Sequence, residues 1–565
     1  MTVGVAGPRR LAVIGRCPVT ADALAARAGR VRDVGDVERA ARGLTGSFHL
    51  LASVGGRVRV RGSASGVRRV VHARVGGATV AADRADRLAE VTEAVVDERI
   101  LALHLLAGSP PYPLDDRCLW QGVRGLRPHD CLLIEADGRA RAQRWWNPPE
   151  PELPAARGVP AVREALAGAV DACTAGGGTV SSDLSGGMDS TSLCFLATRE
   201  AARGRAKLVT LRWESLAPDN DDTAWAARAA AALPGTEHVT PDRDQWPLWY
   251  TDPTGLADIP TEEPGTWVRD SARIAATAEL MTGRGSRLHM MGGGGDELFK
   301  AFPPYLHDYV RGHPLAAFAR VRHHRAFQHW PLWPVLRQLA DRSTFRQWLA
   351  AWADGLTGPP PAAHGRPVPS MAWGPDVRMP SWATGDAVRT VQRLLHDAAG
   401  SAEPLAPQRG QHVALAYVQA GGRGVRQLGQ VFARLGLEYA APFLDDAVLE
   451  SALAVRVAER SAPGRYKPVL AAAMSGIVPD AVLGRSTKGE YSADFHAGLR
   501  RNRAALLELF DDSRLARTGL VDAAALRRSL LEVHPTPDAL RSLGPTLGSE
   551  MWLRSPNAAT TGGTP

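Results

Sequence analysis

The spacing of apolar positions changes part-way along the chain. In the first 146 residues it is close to two: residues 56–61 read G-R-V-R-V-R and residues 78–82 read A-T-V-A-A, punctuated by glycine. That pattern predicts short antiparallel strands and a first domain, 1–146, rich in sheet. Residues 147–154 then read N-P-P-E-P-E-L-P. Four prolines in eight residues exclude a helix or a central strand, and the segment is expected to be an interdomain linker. Beyond it the spacing lengthens: residues 162–172 and 190–203 carry helical periodicity, whereas 207–213 and 287–291 read as strands. Strands separated by helices predict a parallel sheet with its chemistry at the carboxyl edge, in a second domain spanning 155–554.

Residues 302–412 are rich in Trp, Arg and Pro and include a loop-like stretch, 358–369, expected to be mobile. In 424–435 the side chains of Val425, Leu428, Val431, Phe432 and Leu435 share one helical face, which is a core signal. The tail, 555–565, is small and polar and is expected to be disordered. No internal repeat is found.

Composition narrows the class without choosing a function. A chain of 565 residues is long enough for two or three domains, and 45% hydrophobic with 22% charged residues is ordinary for a globular protein. The net charge of +8 is spread over the whole length without a Lys/Arg block, which argues against a nucleic-acid partner. Cys17, Cys118, Cys131, Cys173 and Cys194 are odd in number and far apart, with no C-x-x-C pair, so buried reduced thiols are expected. No apolar run approaches the roughly 20 residues of a membrane span, and no secretory signal is visible. A soluble, cytoplasmic protein is expected.

Two local patterns carry chemistry. Ser185-Gly186-Gly187-Met188-Asp189-Ser190 follows a short extended stretch ending in Leu184 and precedes an amphipathic helix. A strand, a glycine turn and a helix N-terminus form an anion site, because the backbone can approach phosphate oxygens and the unpaired N–H groups stabilise their charge. Ser185 and Ser190 add hydroxyl donors. A carboxylate among phosphates makes sense when a cation sits between them, so Asp189 predicts Mg²⁺ with a nucleotide. The second pattern is Met291-Gly292-Gly293-Gly294-Gly295-Asp296-Glu297, directly after a strand. Four consecutive glycines give nothing to a core, which points to close approach of a ligand, with Asp296 as the second candidate Mg²⁺ ligand.

The first pattern resembles the PP-loop of N-type ATP pyrophosphatases, which implies AMP and pyrophosphate as products. Together with Pro442-Phe443-Leu444-Asp445-Asp446 and Arg485-Ser486-Thr487-Lys488-Gly489-Glu490, the four elements in this order resemble the synthetase domain of asparagine synthetases and of their relatives, the β-lactam synthetases and the lasso peptide cyclases. The resemblance covers about residues 156–495. It implies an adenine nucleotide alpha hydrolase-like PP-loop domain after a degenerate class II glutaminase (Ntn-like) sheet sandwich. Lys488 falls where the family's lysine contacts the phosphates, and a fixed ammonium stabilises developing charge. Asp445 is expected to serve a turn or helix cap. The expected catalytic residues are therefore Lys488, Asp189 and Asp296. The expected nucleotide contacts are Leu184, Ser185, Gly186, Gly187, Asp189, Ser190, Met291, Gly292 and Gly293, with ATP and Mg²⁺ as cofactors.

The chain departs from the family pattern in two places. Thr2 stands where glutamine-dependent asparagine synthetases carry a nucleophilic cysteine, so ammonia release from glutamine is not expected. Three residues before Asp296, where asparagine synthetases have Glu and β-lactam synthetases Tyr, stands Gly293. The loop loses a possible acid or base and gains room for a bulky amine. Glu262-Glu263-Pro264-Gly265-Thr266 resembles the D/E-E-P segment of lasso cyclases. The chain thus resembles a lasso peptide cyclase most, and that resemblance implies adenylylation of an Asp or Glu side chain in a leader-cleaved precursor peptide, with closure onto its N-terminal amine to give a macrolactam. A leader peptidase and a leader-binding protein would be the partners of such a cyclase. The alternatives are an ammonia-dependent asparagine synthetase or β-lactam synthetase-like enzyme, and a non-catalytic nucleotide-binding scaffold.

Overall fold

The computed structural model describes the chain except residues 107–109, 205, 218, 359–367, 463, 486–488, 490, 533–541 and 557–565, and the side chains of residues 200 and 202. Its first third is antiparallel. Strands β1 (Thr2–Ala6), β2 (Arg9–Gly15), β3 (Phe48–Val54), β4 (Arg57–Arg61), β5 (Val71–Val75), β6 (Ala78–Ala82), β7 (Arg124–Gly125), β8 (Asp130–Ile134) and β9 (Ala140–Arg144) form two sheets, ordered β1-β2-β3-β4-β8-β9 and β6-β5-β7. Alternation assigns the faces. Phe48, Leu50, Ala52 and Val54 of β3 pack with Leu11 and Val13 against Leu24 and Ala28 of helix Ala21–Gly29. On the opposite face Val60 and Leu132 meet Val70, Ala81 and Leu126 beside the smaller sheet. This is the expected sandwich.

The second architecture is a parallel sheet of β10 (Thr179–Asp183), β11 (Lys207–Leu211), β12 (Glu237–Val239), β13 (Ser286–Met290) and β14 (Glu438–Ala440), in the order β12-β11-β10-β13-β14. All four pairings are parallel. Helices Ala155–Thr174 and Met188–Ala202 bury Val162, Leu166, Leu193 and Leu196 with Val180 and Leu288 of the sheet. Helix Ser271–Thr282 and the end of helix Arg409–Arg434 bring Ile274, Met281, Val431 and Phe432 together with Val209 and Leu211. The strand order reverses between β10 and β13, which opens a crevice outside their carboxyl ends, where ligands bind in such sheets.

Three expectations need adjustment. The strand expected over 207–213 stops at Leu211; Arg212 still donates its N–H to Val239 O of β12 at 2.9 Å while its guanidinium reaches Ser185 O. The helix read over 424–435 is the end of a 26-residue helix, Arg409–Arg434. Its first half was hidden because Gln411, Gln419 and Arg423 are polar yet buried. The Trp/Arg/Pro-rich stretch holds helices Pro304–Gly312, Pro314–Gln328, Leu332–Ala340, Phe345–Asp354 and Gly385–Ala399. Pro304 and Pro314 sit in first turns, where a missing N–H costs nothing, so they start helices there. Most of the loop expected over 358–369, and most of the tail, lie outside the described residues.

The 147–154 segment is pinned: Leu153 donates its N–H to Ala454 O at 2.9 Å and accepts from Arg456 N at 2.9 Å. The parts on either side of it share a core, with Leu101, Leu105 and Trp120 packed in one cluster with Leu349, Leu506 and Trp552. All five cysteines are free, and four are buried. Among the described residues no helix is long and apolar enough to cross a membrane.

Candidate active site

The crevice is built from two strand ends. After β10, Leu184 stays on the sheet by donating its N–H to Leu211 O at 2.9 Å. The chain then turns through Ser185, Gly186 and Gly187 into helix Met188–Ala202. Gly186 has φ +80°, and a Cβ there would lie 2.5 Å from Asp222 O, so only glycine fits so close to the neighbouring helix Asp222–Ala231. The loop is cross-braced by Ser185 Oγ and Ser190 Oγ at 2.9 Å and by Arg212 Nη1 donating to Ser185 O at 2.9 Å. Asp189 lies in the first helical turn and points toward the second strand end.

After β13, Met291 donates its N–H to Ala440 O at 2.9 Å before the four glycines turn the chain into helix Gly295–Phe299. A Cβ on Gly295 would land on the Asp189 carboxylate. The glycine run is therefore not a loose loop but the condition for bringing Asp189 and Asp296 into one crevice. Gly293 differs from its neighbours: only the flexible thioether of Met291 would lie within 4 Å of a Cβ there.

What joins the two carboxylates is a residue the sequence reading missed. The Lys467 ammonium, whose side chain is fully buried, bonds both oxygens of Asp189, at 2.6 Å to Oδ1, and reaches Asp296 Oδ1 at 2.8 Å. Tyr466 Oη donates to Asp296 Oδ1 at 3.1 Å, and its ring lies 5.1 Å from the ammonium. Lys467 caps helix Pro468–Met474 in a left-handed conformation, φ +44° and ψ +57°. A bulky residue held there costs about 1–3 kcal/mol, and such strain collects at functional sites. The available signal was the Y-K-P triplet ahead of a helix, which carries no chemistry by itself. Glu297, next in the chain, has its carboxyl raised above the ordinary range by burial and then by Asp296 and Asp189.

Lys488 lies outside the described residues, but its flanks do not. Arg485 pairs with Asp221 at 2.7 Å and with Asp222, while Gly489 N donates to Asp222 Oδ1 at 3.1 Å. Asp222 also accepts from Tyr491 Oη at 2.6 Å, so Arg485, Gly489 and Tyr491 are tethered beside the Gly186 turn. Pro442–Leu444 leads to Asp445, which caps helix Asp446–Leu453 by accepting from Ala447 N at 2.9 Å, as expected, and accepts from Gly46 N at 2.6 Å across the seam.

Two carboxylates on adjacent strand ends fit Mg²⁺ brought in by a nucleotide, since that ion takes one or two carboxylates and fills its remaining sites with phosphate oxygens and water. The described residues hold no cluster of three or more His, Cys, Asp or Glu side chains able to bind a metal unaided.

Fold and crevice together define a parallel α/β protein with a crevice where the strand order reverses. A family model described as asparagine synthase matches residues 161–554, and the chain belongs to that family. No curated protein matches it. Among solved structures it is similar to one titled as the allosteric regulatory enzyme of purine biosynthesis, at 11% identity over 44% of this chain and 63% of that one, TM-score 0.19. It is also similar to the glutamine phosphoribosylpyrophosphate amidotransferase from B. subtilis, at 11% identity over 51% of this chain and 63% of that one, TM-score 0.19. The chain thus spans less than two thirds of either relative, and likenesses this low carry no argument about the fold.

Proposed function

We propose that this protein binds Mg-ATP in the crevice, adenylylates an Asp or Glu side chain of a leader-cleaved precursor peptide, and closes that side chain onto the peptide's N-terminal amine to give a lasso macrolactam. The observation that carries the reading is the Lys467 ammonium held between Asp189 and Asp296 where the strand order reverses. The peptide carboxylate attacks the α-phosphorus and pyrophosphate leaves. The amine nitrogen then attacks the acyl carbon, loses a proton, and AMP departs, so the amide forms at the expense of one ATP. Asp189 and Asp296 would hold Mg²⁺, which neutralises phosphate charge when bound. The helix N-terminus after the Ser185–Gly187 turn and the Lys467 ammonium supply positive potential where charge develops, and the family resemblance assigns the same role to Lys488. Glu297 is the acid or base nearest the two aspartates whose proton affinity is raised.

The peptide substrate is supported by Gly293, whose Cβ position is flanked only by the flexible Met291 thioether, so no larger side chain of its own narrows the approach of a bulky amine. Held near attack geometry, the two ends of one peptide gain several orders of magnitude in rate. The test is mass spectrometry of leader-free peptides incubated with the protein and Mg-ATP. The expected product has lost one water, with AMP formed in equal amount. Formation of ADP, or of asparagine from aspartate and ammonium, would overturn the proposal.

A further inference from the structure

A second cavity, of about 630 Å³, lies at the seam between the N-terminal sheets and helix Arg409–Arg434. No residue of the Asp189–Asp296 crevice lines it. Its wall is unusually rich in arginine, and most of that charge is answered. Arg84 is paired with Asp86, Arg426 with Glu262 and Glu263, and Arg16 reaches Glu438 at 3.4 Å and Tyr439 O at 3.2 Å. Arg69 lies 3.7 and 3.9 Å from the same two glutamates. Arg68 and Arg434 are different. Neither has a carboxylate within 4 Å among the described residues, and the guanidinium of Arg68 makes one hydrogen bond, from Nε to Ser47 Oγ at 3.1 Å.

Arg68 is half-buried and Arg434 exposed; an arginine stays protonated in either setting, so one without a carboxylate partner at a cavity wall is available to an anion. Burial and then the neighbouring Arg16 lower the Arg68 pKa to about 10, which still leaves it charged at neutral pH. His49 cannot add to the charge, because burial and Arg68 hold it down at about 4. It instead makes a ring-nitrogen hydrogen bond of 2.8 Å with Arg69 O. Glu262 and Glu263 are shared among Arg69, Arg423 and Arg426, so they leave no charge over for Arg68 and Arg434, which share the wall with the carboxylate of Asp83. That remainder suits one small oxyanion. A triphosphate would bring its excess charge against Asp83 and Glu438.

We infer that the seam cavity is a binding site for an oxyanion of one or two negative charges, a carboxylate or a phosphate monoester, held by Arg68 and Arg434. Guanidinium forks match both chemistries bidentately. The site stands apart from the adenylylation proposed above and does not depend on it.

The test is isothermal titration of the full chain at low ionic strength with two probes, glutarate and inorganic phosphate. Saturable binding of at least one probe is expected, weakened by about tenfold or more in Arg68→Gln and in Arg434→Gln. It should be unchanged in Asp189→Ala, which alters only the nucleotide crevice. Binding of glutarate alone identifies a carboxylate ligand, and binding of phosphate alone a phosphate monoester. Arg434 is exposed, so its variant decides the question even if Arg68→Gln folds poorly. No saturable binding of either probe to the wild-type chain would overturn the inference. Wild-type affinity in Arg434→Gln, or loss of binding in Asp189→Ala, would do the same.

Discussion

Two of the buried groups of charged side chains in this molecule are built on opposite plans. In the seam group Glu262, Glu263, Arg69, Arg423 and Arg426 are all closed off, none with more than 9% of its side chain exposed, and both acids are engaged by more than one arginine. Against the pull of burial, Arg423, Arg426 and Arg69 hold the Glu263 carboxyl far below the ordinary range. In the crevice the cation is closed and the acids are not. Lys467 is fully buried, while Asp189 and Asp296 keep 19% and 30% of their side chains exposed. A sealed network satisfies itself and fixes two segments against each other. A buried cation between half-open carboxylates leaves the acids, not the cation, facing the opening. Paired charge alone does not separate structure from function; which partner faces the opening does.

The comparison breaks most visibly if the crevice is altered. Asp189→Ala, Asp296→Ala and Lys467→Ala should each lower AMP formation by about 10²–10³-fold or more while circular dichroism shows a folded chain. Lys467→Ala with wild-type turnover would put the crevice in the same structural class as the seam. The seam should answer through stability instead. Glu263→Gln removes one member of a sealed network and should cost about 3–5 kcal/mol in denaturant unfolding, with turnover per folded molecule kept. A cost below about 1 kcal/mol would mean the network is not sealed in solution.

A smaller effect tests the seam at Asp445. Burial, and then Asp446, raise its carboxyl from 3.8 to about 7. The folded chain therefore holds a proton that the unfolded chain has released above about pH 4, so this contribution to stability is present at low pH and declines as pH rises toward 7. The wild-type melting temperature should fall across that window by a few degrees relative to Asp445→Asn. Parallel pH profiles for the two proteins would remove Asp445 as the cause.

Where a pattern is local, it could be read from the sequence. Ser185–Ser190 and the four glycines before Asp296 could be read because glycine at a strand end has few other uses, and the structure places both patterns at one crevice. The Trp/Arg/Pro-rich insertion was legible only as composition, since its prolines begin helices whose partners lie elsewhere in the chain. Glu262 and Glu263 carried a resemblance in the sequence and a seam in the structure, because Arg69, Arg423 and Arg426 come from distant segments. Lys488 stood out by its motif, whereas Lys467 did not, lying 278 residues from the aspartate it binds.

The amino-acid order by itself settled the alternation of strands and helices, the two glycine turns and the acids that follow them, since each depends on neighbours a few residues away. The meeting of those acids on one ammonium was decided by tertiary structure alone. Parallel strands put residues from distant stretches of chain side by side at one sheet edge, and no spacing along the chain encodes which lysine will be buried between them.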